Sequence, residues 1–448
     1  MVKKIAQHFM ASHVLKGSAA AFALKFVASI AGFTMFALAS RSMEPAGFGS
    51  LAIVFNAMSF LSVAAICGQE TLIVRSWSEY CASGRPALAR GVLTFGARVV
   101  LGVPLAVAIV VASVWLLCDR AVSVYLVLAA CTFLFTHALM QFTGQFARVA
   151  AGVIVGETPR EFLWRFLVVV ALLAHHALNV DLGTAEFLLT AAAALLTSVT
   201  LQLWRVARSI PEAVKRAKPE YDIAAWMPRS FKMWISALLD TTGQYLEVVI
   251  VGLILGPAAA GFYFVATRIT NVFAMITGGI SVYATSRISA LFYSGAKPEL
   301  QNMLRALAII SAILNGTALV AIILGGKLLL WAFGTVYVSA YPALIVLAIG
   351  ASIGALVGPA THVLLLTGHE GAYPRIMGSV LFVRIGLIAI LGPSLGLMGA
   401  VLAWSISAVV MTLALIIACR RLVGLDPSLG FTLRRISRPA VRLEEGAR

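Results

Sequence analysis

Charge is what this 448-residue chain lacks: 12% of its residues are charged and 61% are hydrophobic, against roughly 25% charged in a soluble globular domain. That shortage excludes an ordinary water-soluble protein. Acidic residues are the scarcer sign, 18 against 34 Lys and Arg, for a net charge of +16. The five cysteines, Cys67, Cys81, Cys118, Cys131 and Cys419, show neither CxxC metal spacing nor a paired framework. A glycine-rich phosphate loop, a nucleophile elbow and an H-E-x-x-H helix are all missing, so no enzyme chemistry and no cofactor is expected. His137, His175, His176 and His362 lack a metal-ligand arrangement and read as membrane-buried hydrogen-bonding groups.

Long apolar runs fill the chain instead. About 20 residues cross a ~30 Å hydrocarbon core at 1.5 Å per residue. Twelve runs meet that length approximately, at 18–39, 49–68, 92–117, 121–143, 161–178, 184–204, 232–255, 261–284, 305–325, 341–367, 376–392 and 397–418. Ala37-Leu38-Ala39 faintly resembles a signal-peptidase site, but the first run exceeds a signal core and contains Lys25, so it reads as a retained helix.

The basic residues test this division. Of the 34 Lys and Arg, 27 fall in alternate connections that include both termini, and only Arg41, Arg120 and Lys327 fall in the others. By the positive-inside rule both termini are expected in the cytoplasm, and the basic balance needs no nucleic acid to explain it. The longest inner connection, 205–231, carries Pro211, Pro219 and Pro228 among clustered charges and divides the spans six and six. The expected organisation is an N-terminal lobe (1–204), a cytoplasmic linker (205–231), a C-terminal lobe (232–418) and a basic tail (419–448).

The halves repeat. Pro45-Ala46-Gly47-Phe48-Gly49 opens the second span and Pro257-Ala258-Ala259-Ala260-Gly261-Phe262-Tyr263 the eighth, with Gly144 and Gly358, and Gly183 and Gly396, at a similar offset. An even number of spans in each half makes these parallel repeats, which normally enclose a central cavity. The expected fold is therefore an all-α polytopic membrane protein of about twelve helices in two six-helix lobes.

Four cations lie within spans: Lys25, Arg98, Arg268 and Arg384. An Arg or Lys at the centre of a membrane helix costs roughly 2.5 to 3.5 kcal/mol on insertion scales, so each is a functional candidate or a snorkelling side chain. Arg384, between Val383 and Ile385 near the midplane, snorkels least easily and is the strongest candidate to bind an anionic substrate. Asp240 and Glu247, seven residues apart with Thr241, Thr242 and Gln244 nearby, are expected to share one helix face. They read either as sites for a coupling proton or cation or as structural ion-pair partners. Gly350, Gly354 and Gly358-Pro359 recur every four residues, a ridge suited to close helix packing or, at Pro359, a hinge.

Three stretches carry a family resemblance. Arg41-Ser42-Met43-Glu44-Pro45-Ala46-Gly47-Phe48-Gly49 followed by Cys67-Gly68-Gln69-Glu70-Thr71-Leu72-Ile73-Val74-Arg75 resembles the opening of the polysaccharide flippases. Gly392-Pro393-Ser394-Leu395-Gly396-Leu397-Met398-Gly399-Ala400-Val401-Leu402-Ala403 is similar to that family's turn between its last two helices, and Gly261-Phe262 repeats the Gly-Phe pattern. These flippases belong to the multidrug/oligosaccharidyl-lipid/polysaccharide exporter superfamily.

The resemblance implies alternating access and an undecaprenyl-diphosphate-linked oligosaccharide as substrate, moved across the bacterial inner membrane for lipopolysaccharide or exopolysaccharide assembly. Membrane lipids, a coupling proton or cation and a polysaccharide polymerase are the partners it implies. It also makes Gly47 and Gly399 structural positions, at tight turns and close helix approaches. A drug or cation antiporter of the same superfamily shares the architecture. A membrane glycosyltransferase or polymerase would need catalytic carboxylates and usually a larger outer loop. A non-transporting scaffold would leave the buried charges unexplained.

Overall fold

The computed structural model describes residues 23–178, 181–357, 359–369 and 371–428. Lys3, Lys4, Lys16, the start of the first expected span, Gly358 and most of the basic tail lie outside the described residues. All regular structure described is helical, and a helix satisfies its backbone polar groups within its own segment, as a bilayer demands.

In chain order the helices are α1 Ala23–Arg41, α2 Pro45–Ala65, α3 Gln69–Ala82, α4 Pro86–Cys118, α5 Val124–Ala150, α6 Val153–Glu157, α7 Trp164–Ala177, α8 Thr184–Ser209, α9 Glu212–Arg216, α10 Ile223–Thr241, α11 Glu247–Leu255, α12 Pro257–Tyr293, α13 Lys297–Phe333, α14 Tyr341–Ala355, α15 Ala360–Leu366, α16 Ala372–Leu395 and α17 Leu397–Ala418. Among the described residues, eleven helices are long and apolar enough to cross a membrane. Each coincides with one of the expected spans. The fifth expected span, 161–178, instead falls on α6, a π-turn at Thr158–Leu163 and α7, where Glu157, Arg160, Glu161 and Arg165 interrupt the apolar run. Its membrane crossing, and with it the count of twelve in two lobes of six, stands as our proposal.

The chain forms two compact units, Met1–Phe264 with Ala332–Val336, and Val265–Trp331 with Tyr337–Arg448. In the first, α5 lies along α8 and against α2 and α4. Phe36, Phe55, Phe133, Phe187 and Phe264 are all buried there. Phe36 meets Phe55 edge-on at 5.2 Å and Phe264 at 4.7 Å, and each such ring pair contributes about 0.5 to 1.5 kcal/mol beyond its buried area.

The two Pro-Ala openings pack on each other. Pro45 and Pro257 each start a helix, where the missing N–H costs nothing. A Cβ on Gly49 would stand 1.8 Å from the Pro257 carbonyl oxygen, and one on Gly261 would stand 3.2 Å from the Gly49 Cα. The expected role of Gly47 needs correcting: a Cβ there would meet its nearest atom, the Met43 Cβ, at 3.9 Å, an ordinary contact. Gly49, one helical step beyond the turn, is where the backbones touch. Gly399 behaves as expected, since its Cβ would lie 2.0 Å from the Leu391 carbonyl oxygen on α16. In the second unit Gly350 similarly admits Ser405 of α17, 2.6 Å from a Cβ placed there.

Cys67 and Gly68 break α2 from α3 with φ values of 54° and 74°. A Cβ on Gly68 would collide with the Ser230 carbonyl oxygen at 2.5 Å. Burial pushes the neighbouring Glu70 carboxyl above the usual carboxylate range.

The segment between α8 and α10 straps onto the first unit. Arg90 donates to the carbonyls of Lys215 and Ala217, and a Cβ on Gly91 would meet the Glu220 carbonyl oxygen at 1.7 Å. Trp226, fully buried, donates to the Tyr80 hydroxyl at 2.8 Å. Thr94 bonds the Tyr221 hydroxyl at 3.3 Å, and Gln69 donates to Ser230 at 3.0 Å.

Candidate functional site

The polar centre of the first unit is built on α5. His137, Gln141, Gly144 and Arg148 succeed one another at steps of four, three and four residues, which places them on one helix face. That face meets the π-turn. Pro159 lies inside the helix formed by α6, the π-turn and α7, where its ring excludes the carbonyl four residues back from the usual ladder. The π-turn accommodates it, and Gln202 of α8 donates to the freed Val155 carbonyl at 3.1 Å and to the Gly156 carbonyl at 2.9 Å. Such π-turns are frequent at functional sites.

Five charges alternate along this junction. Glu157 pairs with Arg148 at 3.5 Å and Arg160 at 2.8 Å, while Glu161 pairs with Arg160 at 3.2 Å and Arg165 at 3.1 Å. Gly144 leaves room for the Arg160 stem, whose Cδ would be 2.7 Å from a Cβ at that position. Arg160 also donates to Gln141 at 3.5 Å. Gln141 and His137 are in hydrogen-bond contact at 3.3 Å, and His137 Nδ1 meets the Ser62 hydroxyl of α2 at 2.5 Å.

The side chains of Glu157 and Arg160 are 7% and 17% exposed, so the Glu157 carboxylate has given up most of its water for a guanidinium. Charge-assisted contacts of this kind are stronger than those between neutral groups. The guanidinium groups outnumber the carboxylates by one. Lys25 of α1 adds a further positive charge within electrostatic reach of Glu161, and α1 passes close by, with Gly32 against the Arg165 stem. The surplus is positive, as an anion-accepting site requires.

The residues singled out from sequence are distributed differently. Lys25 is exposed on α1 at this cluster, and Arg98 is exposed on α4 with its guanidinium 5.6 Å from the Tyr221 ring centre. The second unit holds Arg268, half-buried on α12, and Arg384, half-buried on α16 and 5.5 Å from the Trp404 ring centre. Within the first unit Lys25 and Arg98 occupy separate neighbourhoods.

Asp240 and Glu247 do not continue one stripe. A second π-turn, Thr242–Leu246, separates them, and the residue it inserts rotates α11 by about 100° relative to α10. Asp240 is consequently exposed, whereas Glu247 is buried and accepts from the Tyr263 hydroxyl at 3.1 Å.

Arg148, Arg160 and Arg165 had the appearance of ordinary cytoplasmic loop charges in sequence. The signal for them was the run Glu157-Thr158-Pro159-Arg160-Glu161, with alternating charge about a proline, opposite the α5 polar face.

A family model described as "Polysaccharide biosynthesis protein" matches residues 14–292, more than half of the chain. The chain belongs to this family. No curated protein matches it in sequence. Its fold is that of transporters of the MOP superfamily. An inward-facing multidrug resistance MATE family transporter aligns with a TM-score of 0.65 at 15% identity, covering 92% of this chain and 96% of the other. The lipid II flippase MurJ in an inward closed conformation aligns with a TM-score of 0.65 at 13% identity, covering 89% and 87%. An outward-facing MATE transporter gives 0.64 at 15%, covering 92% and 95%. The expected all-α polytopic class and the family resemblance are both borne out.

Proposed function

We propose that this member of the polysaccharide biosynthesis family is an alternating-access flippase for an undecaprenyl-diphosphate-linked oligosaccharide. It moves that lipid from the cytoplasmic to the outer leaflet of the bacterial inner membrane for lipopolysaccharide or exopolysaccharide assembly. Both termini are cytoplasmic, membrane lipids surround it and a polysaccharide polymerase receives the product. It performs no bond-making chemistry.

The positive surplus of the Arg148–Arg165 cluster beside Lys25 is the observation that carries this reading. A diphosphate leaving water needs its hydration replaced, and guanidinium groups supply planar, permanently charged, paired donors to phosphate oxygens. Lys25, Arg98, Arg268 and Arg384 are the proposed substrate-contacting cations. Asp240 and Glu247 are the proposed sites for the coupling proton or cation, since an ion shifts a two-state equilibrium only through differential affinity for the two states.

The drug or cation antiporter is the second reading. It is favoured by the MATE likeness and by a buried carboxylate at Glu247.

Polymer export in a deletion strain separates these readings. Arg384→Lys is expected to keep part of the export and Arg384→Glu to abolish it, with both proteins inserted at normal abundance. Wild-type export by Arg384→Glu would remove this residue from the substrate path. Restored drug resistance without polymer export would support the antiporter.

A further inference from the structure

On the first unit, Arg98, Gly102, Val103, Ala106, Val107, Val110 and Val111 of α4 line an open groove together with Leu61 of α2. Its volume is about 500 Å³, within the range of ligand pockets, ~300 to 1,000 Å³. The lining is apolar almost throughout, and Arg98 closes one end with its guanidinium turned to the Tyr221 ring. From Arg98 to Val111 the helix rises about 20 Å at 1.5 Å per residue, roughly two-thirds of the hydrocarbon core, and no other polar side chain lines it.

Gly102 opens the groove one turn from Arg98. A Cβ there would meet nothing within 4 Å, so no helix packing demands the glycine, although it costs about 1 kcal/mol in a helix interior. Among the described residues no carboxylate forms an ion pair with Arg98, whose guanidinium lies over the Tyr221 ring. A ring over one guanidinium face leaves the N–H edge available to accepting oxygens. One turn toward the start of α4, Thr94 adds a hydroxyl that bonds the Tyr221 hydroxyl.

We propose that this groove holds the single prenyl chain of the carrier lipid, with its diphosphate at Arg98, Thr94 and Tyr221. The inference rests on the flippase reading and deepens it: the substrate is received tail-first along the outer face of α4. One cation followed by about 20 Å of uninterrupted apolar wall matches a one-tailed anionic amphiphile. A phospholipid would bring two tails to a groove whose far wall is the single side chain Leu61.

The test uses full-length protein in phosphatidylcholine nanodiscs and a four-isoprene prenyl diphosphate carrying a photoactivatable group on its tail. Label is expected on residues 102–111 and Leu61, displaced by unlabelled prenyl diphosphate and not by equimolar phosphatidylglycerol. Arg98→Gln should lower labelling about tenfold, the loss of a charge-assisted contact, and Arg98→Lys should lower it less. Gly102→Leu fills open space, so the fold should survive while groove labelling is lost. Label confined to other helices, undiminished labelling of both Arg98→Gln and Gly102→Leu, or equal displacement by phosphatidylglycerol would overturn the proposal. Transport of lipid-linked sugar, measured separately in proteoliposomes, decides the flippase reading: transport with unlabelled α4 overturns the groove alone, and labelled α4 without transport overturns the flippase.

Discussion

Arg160→Met is expected to cost the folded protein about 3 to 5 kcal/mol, the penalty for removing one partner of a buried ion pair. The substitution keeps most of the apolar stem and deletes the guanidinium between Glu157 and Glu161. Glu161 retains Arg165 at 3.1 Å, but Glu157 is left with Arg148 at 3.5 Å, a partner 42% exposed. Abundance in the membrane and the thermal midpoint in detergent should both fall. The double variant Arg160→Met, Glu157→Gln should recover much of the midpoint, because Glu161 keeps Arg165 and the released Arg148 is 42% exposed to solvent. A single variant as stable as the wild type would show that the cluster carries no structural energy.

Gly49→Ala and Gly47→Ala should separate sharply although they lie two residues apart. The first places a methyl 1.8 Å from the Pro257 carbonyl oxygen, and a backbone atom cannot swing aside, so α2 and α12 must part; overpacking of this kind costs about 1 to 3 kcal/mol. The second places a methyl in ordinary contact and gains up to about 1 kcal/mol of helix propensity. Differential scanning fluorimetry of both variants reads this directly. A reversed order would mean that the Pro45 and Pro257 openings do not touch at Gly49.

These two cases mark where sequence reasoning reached and where it stopped. Hydropathy located the crossing helices because apolar length is a one-dimensional property. It could not settle the segment around 161–178, since charges that pair in space still count as charges along the chain. The same blindness hid the site: counting Lys and Arg by the positive-inside rule grouped Arg148, Arg160 and Arg165 in one connection and ignored the carboxylates that hold them. The Pro-Ala-Gly repeat was legible, but which glycine the partner helix touches depends on the crossing geometry, and that chose Gly49 over Gly47. Seven-residue spacing placed Asp240 and Glu247 on one face only under uninterrupted α geometry, which the turn at Thr242–Leu246 breaks.

The most direct measurement is translocation by the purified protein in proteoliposomes loaded with a polyprenyl-diphosphate oligosaccharide bearing a fluorescent sugar. Accessibility of that sugar to an external, membrane-impermeant quencher reports its leaflet. The account predicts protein-dependent transfer that Arg384→Glu abolishes and that a prenyl-diphosphate sugar, but not a hydrophobic cation, competes away. Transfer of a hydrophobic cation with no movement of the lipid-linked sugar would contradict it.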